Sequence, residues 1–140
     1  MNPKKRITVL LADDHKVIRK ELRKMLEVES DLEVVGEAAN GQQAVDMAKK
    51  LRPAVIVMDI SMPKLNGLDA TRQILQVLPV TKVLICSTHN EEVYVKRAMA
   101  VGAAGYIIKL TCAEVLVTAI RAVQKGNTFI TPAIAKRLQK

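Results

Sequence analysis

Five short apolar runs, each followed by a segment of helical periodicity, constrain the fold more tightly than any other feature of this chain. The runs are Ile7 to Ala12, Leu32 to Glu37, Ala54 to Met58, Lys82 to Cys86 and Gly105 to Ile108. They are nearly continuous in aliphatic residues, as strands buried on both faces must be, and the strict strand–helix alternation with short loops makes them parallel. Right-handed crossovers then place helices on both faces of the sheet. The expected fold class is α/β, a doubly wound (βα)5 arrangement around a five-stranded parallel sheet.

The helical segments carry their own boundaries. The first places Ile18, Leu22, Met25, Leu26 and Glu29 at steps of three and four, with Lys16, Lys20, Arg23 and Lys24 on the polar side. Asn40 with Gln43 three residues on opens the second, which buries Ala44, Val45, Ala48 and Leu51 and stops at Arg52 and Pro53. Asn66 and Gly67 open the third, through Leu68, Thr71, Leu75 and Leu78, and Pro79 ends it. Asn90, with Glu91 and Glu92 in the first turn, opens the fourth, and Gly102 caps its end. Thr111 and Glu114 form a T-x-x-E capping box for the fifth, whose inner side is Val115, Leu116, Ala119, Ile120 and Val123; Gly126 closes it.

In open parallel sheets, ligands bind beyond the carboxyl ends of the strands. Those ends carry Asp13 and Asp14 after the first strand, Asp59 after the third, Ser87 and Thr88 after the fourth, and Lys109 after the fifth. The second, "EAANG", offers no charged candidate after Glu37. Three carboxylates in one place repel, and Lys109 offsets only one charge. A hard divalent ion with oxygen ligands supplies the rest, and Mg²⁺ is commonly held by one or two carboxylates, waters and phosphate oxygens. Neither G-x-x-x-x-G-K-[ST] nor G-x-G-x-x-G follows the first strand, so a small phosphoryl group fits better than a nucleotide.

"LLADDHKVIRKELRKML", "VIVMDISMPKLNGLDA", "VLICSTHNEEVYV" and "GAAGYIIKL" together resemble the receiver domains of bacterial two-component response regulators. The resemblance is greatest to the NarL/FixJ subfamily, whose output is a LuxR-type helix-turn-helix. It covers residues 6 to 125 and implies a flavodoxin-like, CheY-like sheet in the order 2-1-3-4-5. It further implies that Asp59 accepts a phosphoryl group from a sensor histidine kinase. Asp13, Asp14, Asp59 and the backbone carbonyl of Ser61 would hold Mg²⁺, with Mn²⁺ as a substitute, Asp13 acting through a metal-bound water. Lys109 would contact the phosphoryl group or the unmodified Asp59, and Ser87, with Thr88 as the rival hydroxyl, would bind its oxygens. Tyr106 matches the switch aromatic. Ser61 and His89, each two residues beyond a site residue, match positions that tune dephosphorylation. The chain departs from the family at Leu110, where proline or aspartate often follows the lysine.

Other readings weigh against this one. An aspartyl-nucleophile phosphohydrolase resembling the haloacid dehalogenase group shares strand-end aspartates, lysine and Mg²⁺, but expects D-x-D after the first strand, which "ADDH" does not supply. A degenerate receiver used only for interaction conflicts with the intact acidic set. His15 and His89 lack metal-ligand companions in sequence and read as local polar residues. Cys86 and Cys112 lack metal spacing and read as reduced, buried thiols.

Composition sets the outer limits. Hydrophobic residues make up 49% of 140, but the only aromatics are Tyr94, Tyr106 and Phe129, which argues against a module that stacks bases. The net charge of +8 is scattered, from Lys4 to Arg6 through Lys16, Arg19, Lys20, Arg23 and Lys24 onward, and reads as solvated helix faces. Ile18, Arg19 and Leu22 are the expected contact with an acidic kinase surface. No run approaches the ~20 apolar residues of a membrane span, so a cytoplasmic location is expected. Residues 1–125 read as the receiver, and 126–140 as a polar turn and amphipathic linker. That linker would lead either to an output domain or to the end of a stand-alone receiver. Homodimerisation on phosphorylation is an implied consequence, and DNA would be met only through the output domain.

Overall fold

The structure, a computed structural model, describes residues 6–138. Lys4 and Lys5 of the basic start and Gln139 and Lys140 of the tail lie outside the described residues. The order is β1 (Ile7–Ala12), α1 (Lys16–Glu27), β2 (Leu32–Ala38), α2 (Gly41–Leu51), β3 (Val55–Met58), α3 (Gly67–Val77), β4 (Lys82–Ser87), α4 (Glu92–Ala100) and β5 (Gly105–Ile108). A single 3-10 turn (Lys109–Thr111) leads into α5 (Cys112–Gln124), followed by β6 (Phe129–Ile130) and α6 (Pro132–Leu138).

All strands are parallel, in the order β2-β1-β3-β4-β5-β6. The doubly wound sheet is as expected; its count is not, because a sixth strand joins the edge. β6 pairs Phe129 with Gly105 and Ile130 with Tyr106. Thr131 fixes it by donating its N–H to the Tyr106 carbonyl (2.9 Å) and accepting the Ile108 N–H on Oγ1 (3.0 Å). Two residues show no periodicity, and the segment could be read only as a turn.

Alternation along the strands divides the interior into two layers. Leu10, Ile56, Met58, Ile85 and Tyr106 pack with residues of α2, α3, α4 and α6. Val9, Leu11, Val55, Val57, Leu84, Cys86 and Ile107 pack with α1 and α5. β3 lies between β1 and β4 with all four of its side chains buried. Full burial of such aliphatic side chains contributes roughly 1.5–3 kcal/mol each. β3 is therefore a rigid mount for Asp59 at its carboxyl end.

The helix ends largely obey their sequence signals. The Asn40 side chain accepts the Gln43 N–H at 2.8 Å, while the Gln43 side chain accepts the Ala39 N–H at 2.8 Å. Arg52 ends α2 in the left-handed region (φ 47), Asn66 caps α3 through the Asp69 N–H at 2.9 Å, and Gly102 adopts φ 103 after α4.

Four expectations need correction. Thr111 makes no side-chain cap; its Oγ1 lies 3.4 Å from the Ile108 carbonyl because the 3-10 turn, rather than a free loop, precedes α5. Leu51 is exposed at the last position of α2, and Glu29 falls beyond the end of α1. α4 begins one residue later than expected, with Glu91 rather than Asn90 at its N-cap.

Candidate functional site

Ladder hydrogen bonds carry the strand order past the last strand residues and so place the carboxylates. The Asp59 N–H donates to the Ala12 carbonyl at 2.9 Å, and the Asp13 N–H to the Ala38 carbonyl at 3.0 Å. Asp13 and Asp59 therefore emerge side by side from neighbouring strands, both buried. Gly67, at the start of α3, presses against the carbonyl of Asp59 so closely that a Cβ there would lie 1.9 Å from that oxygen. Only glycine lets α3 begin so close to the strand end.

Lys109 closes the site from β5. Its Nζ lies 2.7 Å from Asp13 Oδ2 and 3.2 Å from Asp59 Oδ2. Burial pushes the Asp59 carboxyl above its usual range; the negative charges of Asp13 and Asp14 add to this, and Lys109 offsets part of it. Burial works against the Lys109 charge, but its bonds to Asp13 and Asp59 outweigh that and hold its pKa above the ordinary value.

Asp14 stands at the rim, more exposed than its neighbour. His15, read from sequence as a local polar residue, joins the cluster. Its Nδ1 is 3.1 Å from Asp13 Oδ1, and 3.3 Å from both Asp14 Oδ1 and Lys109 Nζ. One ligand atom from each of Asp13, Asp14, His15 and Asp59 falls within 4.8 Å of the others. Hard carboxylate oxygens dominate this set, and their uncompensated charge suits a divalent cation of the Mg²⁺ or Mn²⁺ kind.

The end of β4 supplies a hydroxyl and β5 an aromatic group. Ser87 is fully buried, and its Oγ accepts the His89 N–H at 3.0 Å. Thr88 is exposed, so of the two hydroxyls Ser87 is the one built into the interior. Tyr106 is also fully buried and donates its hydroxyl to the His89 carbonyl at 2.7 Å; burial pushes its phenol up to about 12. His89 Nε2 meets Ser61 Oγ at 3.0 Å, and its ring stacks on Tyr94 with centroids 4.1 Å apart. Ser61 and His89 are thus in contact across the rim.

One residue falls elsewhere than expected. Arg19 turns inward rather than facing a partner. It reaches the Glu37 carboxylate and the Asp13 carbonyl, whereas Leu22, buried against the sheet, still lines a groove with Ile18. Cys86 is a core thiol whose Sγ lies 2.9 Å from that of Cys112. That bond, with burial, pushes the Cys86 thiol well up and leaves it a poor nucleophile.

The sequence model of the response regulator receiver domain matches residues 9–121, most of the chain. This chain belongs to that family. Among receivers, the transcriptional regulatory protein DegU of Brevibacillus brevis is 38% identical over 135 residues, spanning 96% of this chain and 57% of DegU. A LuxR-family two-component response regulator from Aurantimonas sp. SI85-9A1 superposes with a TM-score of 0.89 at 32% identity, covering 94% of each chain. A structure of two RcsB dimers bound to two parallel DNAs has a TM-score of 0.87 at 25% identity, covering 96% of this chain and 69% of that one.

The receiver is thus related to LuxR/NarL-type regulators, and receivers act in signalling. It spans 57% to 62% of the length of the first curated relatives it matches. Among the described residues, no helix is long and apolar enough to cross a membrane.

Proposed function

We propose that this receiver accepts a phosphoryl group on Asp59 from the phosphohistidine of a sensor histidine kinase. A carboxylate oxygen of Asp59 attacks phosphorus, the N–P bond breaks, and the histidine leaves with the electron pair. The observation that carries this reading is the pairing of Asp59 with Lys109 at 3.2 Å, at the tip of the central strand and beside two further carboxylates.

Asp13, Asp14, Asp59 and the Ser61 carbonyl would hold Mg²⁺, for which Mn²⁺ can substitute; once bound, the ion offsets charge that develops on the transferring group. Lys109 orients Asp59 before transfer and meets the phosphoryl oxygens afterwards. Ser87 turns its hydroxyl to those oxygens, with exposed Thr88 as the lesser candidate. In turning, Ser87 releases the His89 N–H, and the loop that Tyr106 holds through the His89 carbonyl rearranges. The Ser61–His89 contact sets how readily water reaches the acyl phosphate. This chemistry is confined to the receiver's own phosphorylation and dephosphorylation.

The kinase would dock beside the site in a groove of about 190 Å³ lined by Ile18, Met25, Lys109 and Leu110. Leu110 is strongly exposed there, which gives the departure at this position a use as an apolar contact. Residues 1–125 act as the receiver in the cytoplasm, and residues from 126 onward lead toward a LuxR-type DNA-binding domain. Phosphorylation promotes homodimerisation, and DNA is reached only through that domain. The RcsB assembly of dimers on DNA supports, by analogy, a dimer as the form that meets DNA.

Incubation with Mg²⁺ and acetyl phosphate or phosphoramidate, then intact-mass measurement, tests the reading. Wild type gains one phosphoryl group and Asp59→Asn gains none. An adduct that persists in Asp59→Asn, or rapid turnover of phosphomonoesters without an adduct, overturns it. Beryllofluoride is expected to shift amide resonances across α4, β5 and α5; shifts confined to the acidic cluster would contradict the switch.

A further inference from the structure

The end of β2 looked empty of site residues, yet Glu37 there reaches the acidic cluster through one intermediary. We infer that Arg19 and Glu37 form a positioning bridge that fixes Asp13 for metal binding, an inference that rests on reading the acidic cluster as a metal site.

Asp13 is held at four points. Its N–H donates to the Ala38 carbonyl at 3.0 Å, its Oδ1 accepts the His15 N–H at 2.8 Å, and its Oδ2 pairs with Lys109 at 2.7 Å. The fourth is its carbonyl, which accepts a hydrogen bond from Arg19 Nη1. The first three belong to the sheet or the site itself. The fourth comes from a residue that can be changed without touching either.

Arg19 stands in the first turn of α1 with its side chain only 12% exposed, between the ends of β1 and β2. Its Nε donates to Glu37 Oε1 at 2.8 Å. Glu37 is itself fixed, because its Oε2 accepts Arg23 Nη1 at 2.8 Å and Lys20 Nζ at 3.0 Å. Burial opposes the Glu37 charge, but the three cations outweigh it and lower its pKa to about 2, so the anchor stays charged across ordinary pH. The guanidinium is a rigid plane whose donors point in set directions. With Nε held by Glu37, Nη1 is aimed at the Asp13 carbonyl. An ammonium has no such fork and cannot span both acceptors with fixed geometry.

Residues that orient metal ligands without touching the metal typically cost tenfold or more in affinity when removed. Arg23 supplies the control, since it pairs with the same carboxylate but does not reach Asp13. Calorimetric titration with Mg²⁺ is therefore run on wild type, Arg19→Lys, Glu37→Gln and Arg23→Ala, with the unfolding free energy of each measured in metal-free buffer.

The bridge predicts that Arg19→Lys and Glu37→Gln weaken Mg²⁺ binding by about tenfold, while Arg23→Ala, which leaves Lys20 on Glu37 Oε2, stays within about twofold of wild type. A purely structural ion pair would be rescued by lysine and would track stability instead. Wild-type affinity in Arg19→Lys, or an equal loss in Arg23→Ala, overturns the inference. If wild type binds no divalent cation, the metal-site reading fails; the bridge is then decided in metal-free protein by the Asp13 carbonyl ¹³C resonance. It shifts on Arg19→Lys and not on Arg23→Ala if the bridge exists, and remains in place on Arg19→Lys if it does not.

Discussion

At the scale of single residues, the site is a place where folding stability is given up. The carboxyl of Asp59 is raised above its usual range by burial, so the folded chain binds that proton more tightly than the unfolded chain does. Ionised Asp59 therefore costs stability at neutral pH, and the cost fades as pH falls and the group protonates. Asp59→Asn removes the charge while Lys109 keeps Asp13 as a partner. In metal-free buffer at pH 7, the variant is expected to melt a few degrees higher than wild type, with the gap closing toward acid. A lower midpoint would contradict the account.

Glu37 has the opposite sign: its pKa, about 2 against an ordinary 4.5, gives stability that is present above the ordinary value and lost as pH falls toward 2. Because its partners Lys20 and Arg23 reach solvent, screening limits the effect to about 2 kcal/mol. Glu37→Gln should accordingly be less stable at neutral pH and show a flatter acid-unfolding curve, the two curves meeting near pH 2 in circular dichroism titrations.

The places of Asp13, Asp14, Asp59, Ser87 and Lys109 at the strand ends were legible in the sequence because strand ends are fixed by patterning. His15 and Arg19 were not. Their importance comes from where the first turn of α1 aims them, and a histidine beside two aspartates looks like any polar turn.

At the scale of elements, amphipathic helices with good caps were readable, whereas the Thr111 box failed because a tertiary 3-10 turn took over its geometry. The tail was half readable. Its amphipathic character was plain, but β6 depends on pairing with β5, a contact between residues more than twenty positions apart, which no local pattern announces. α6 is held in two unequal ways. Ile134 is buried among residues of the α4 layer, and Arg137 Nη2 donates to the Asn90 carbonyl at 2.6 Å on the exposed side. Ile134→Ala should cost about 2–4 kcal/mol in chemical unfolding, as buried isoleucine truncations do. Arg137→Ala should cost no more than about 1 kcal/mol but raise amide exchange in α6 and in the β4–α4 loop together. Faster exchange in only one of the two would separate the tail from the loop that Tyr106 and Ser87 hold.

At the scale of the whole molecule, the two apolar layers meet on a central sheet whose strand tips carry like charges held together by one lysine. The apolar interior fixes where the carboxylates stand, and their repulsion is the force a cation would relieve. A ligand that binds only the folded chain stabilises it by RT ln(1 + [L]/Kd), or about 2.7 kcal/mol at a hundred times Kd. For a domain of this size that is a rise in melting midpoint on the order of 10 °C. Saturating Mg²⁺ is therefore expected to raise the wild-type midpoint by about that much in scanning calorimetry. The rise should be far smaller in Asp59→Asn, which starts higher but has lost a ligand, so the order of the two proteins reverses between metal-free and metal-saturated buffer. Acid should abolish the Mg²⁺ effect in wild type, because protonated carboxyls no longer attract the ion. A midpoint that Mg²⁺ leaves unmoved at neutral pH would mean that the charge gathered at the strand tips serves some end other than holding a divalent ion.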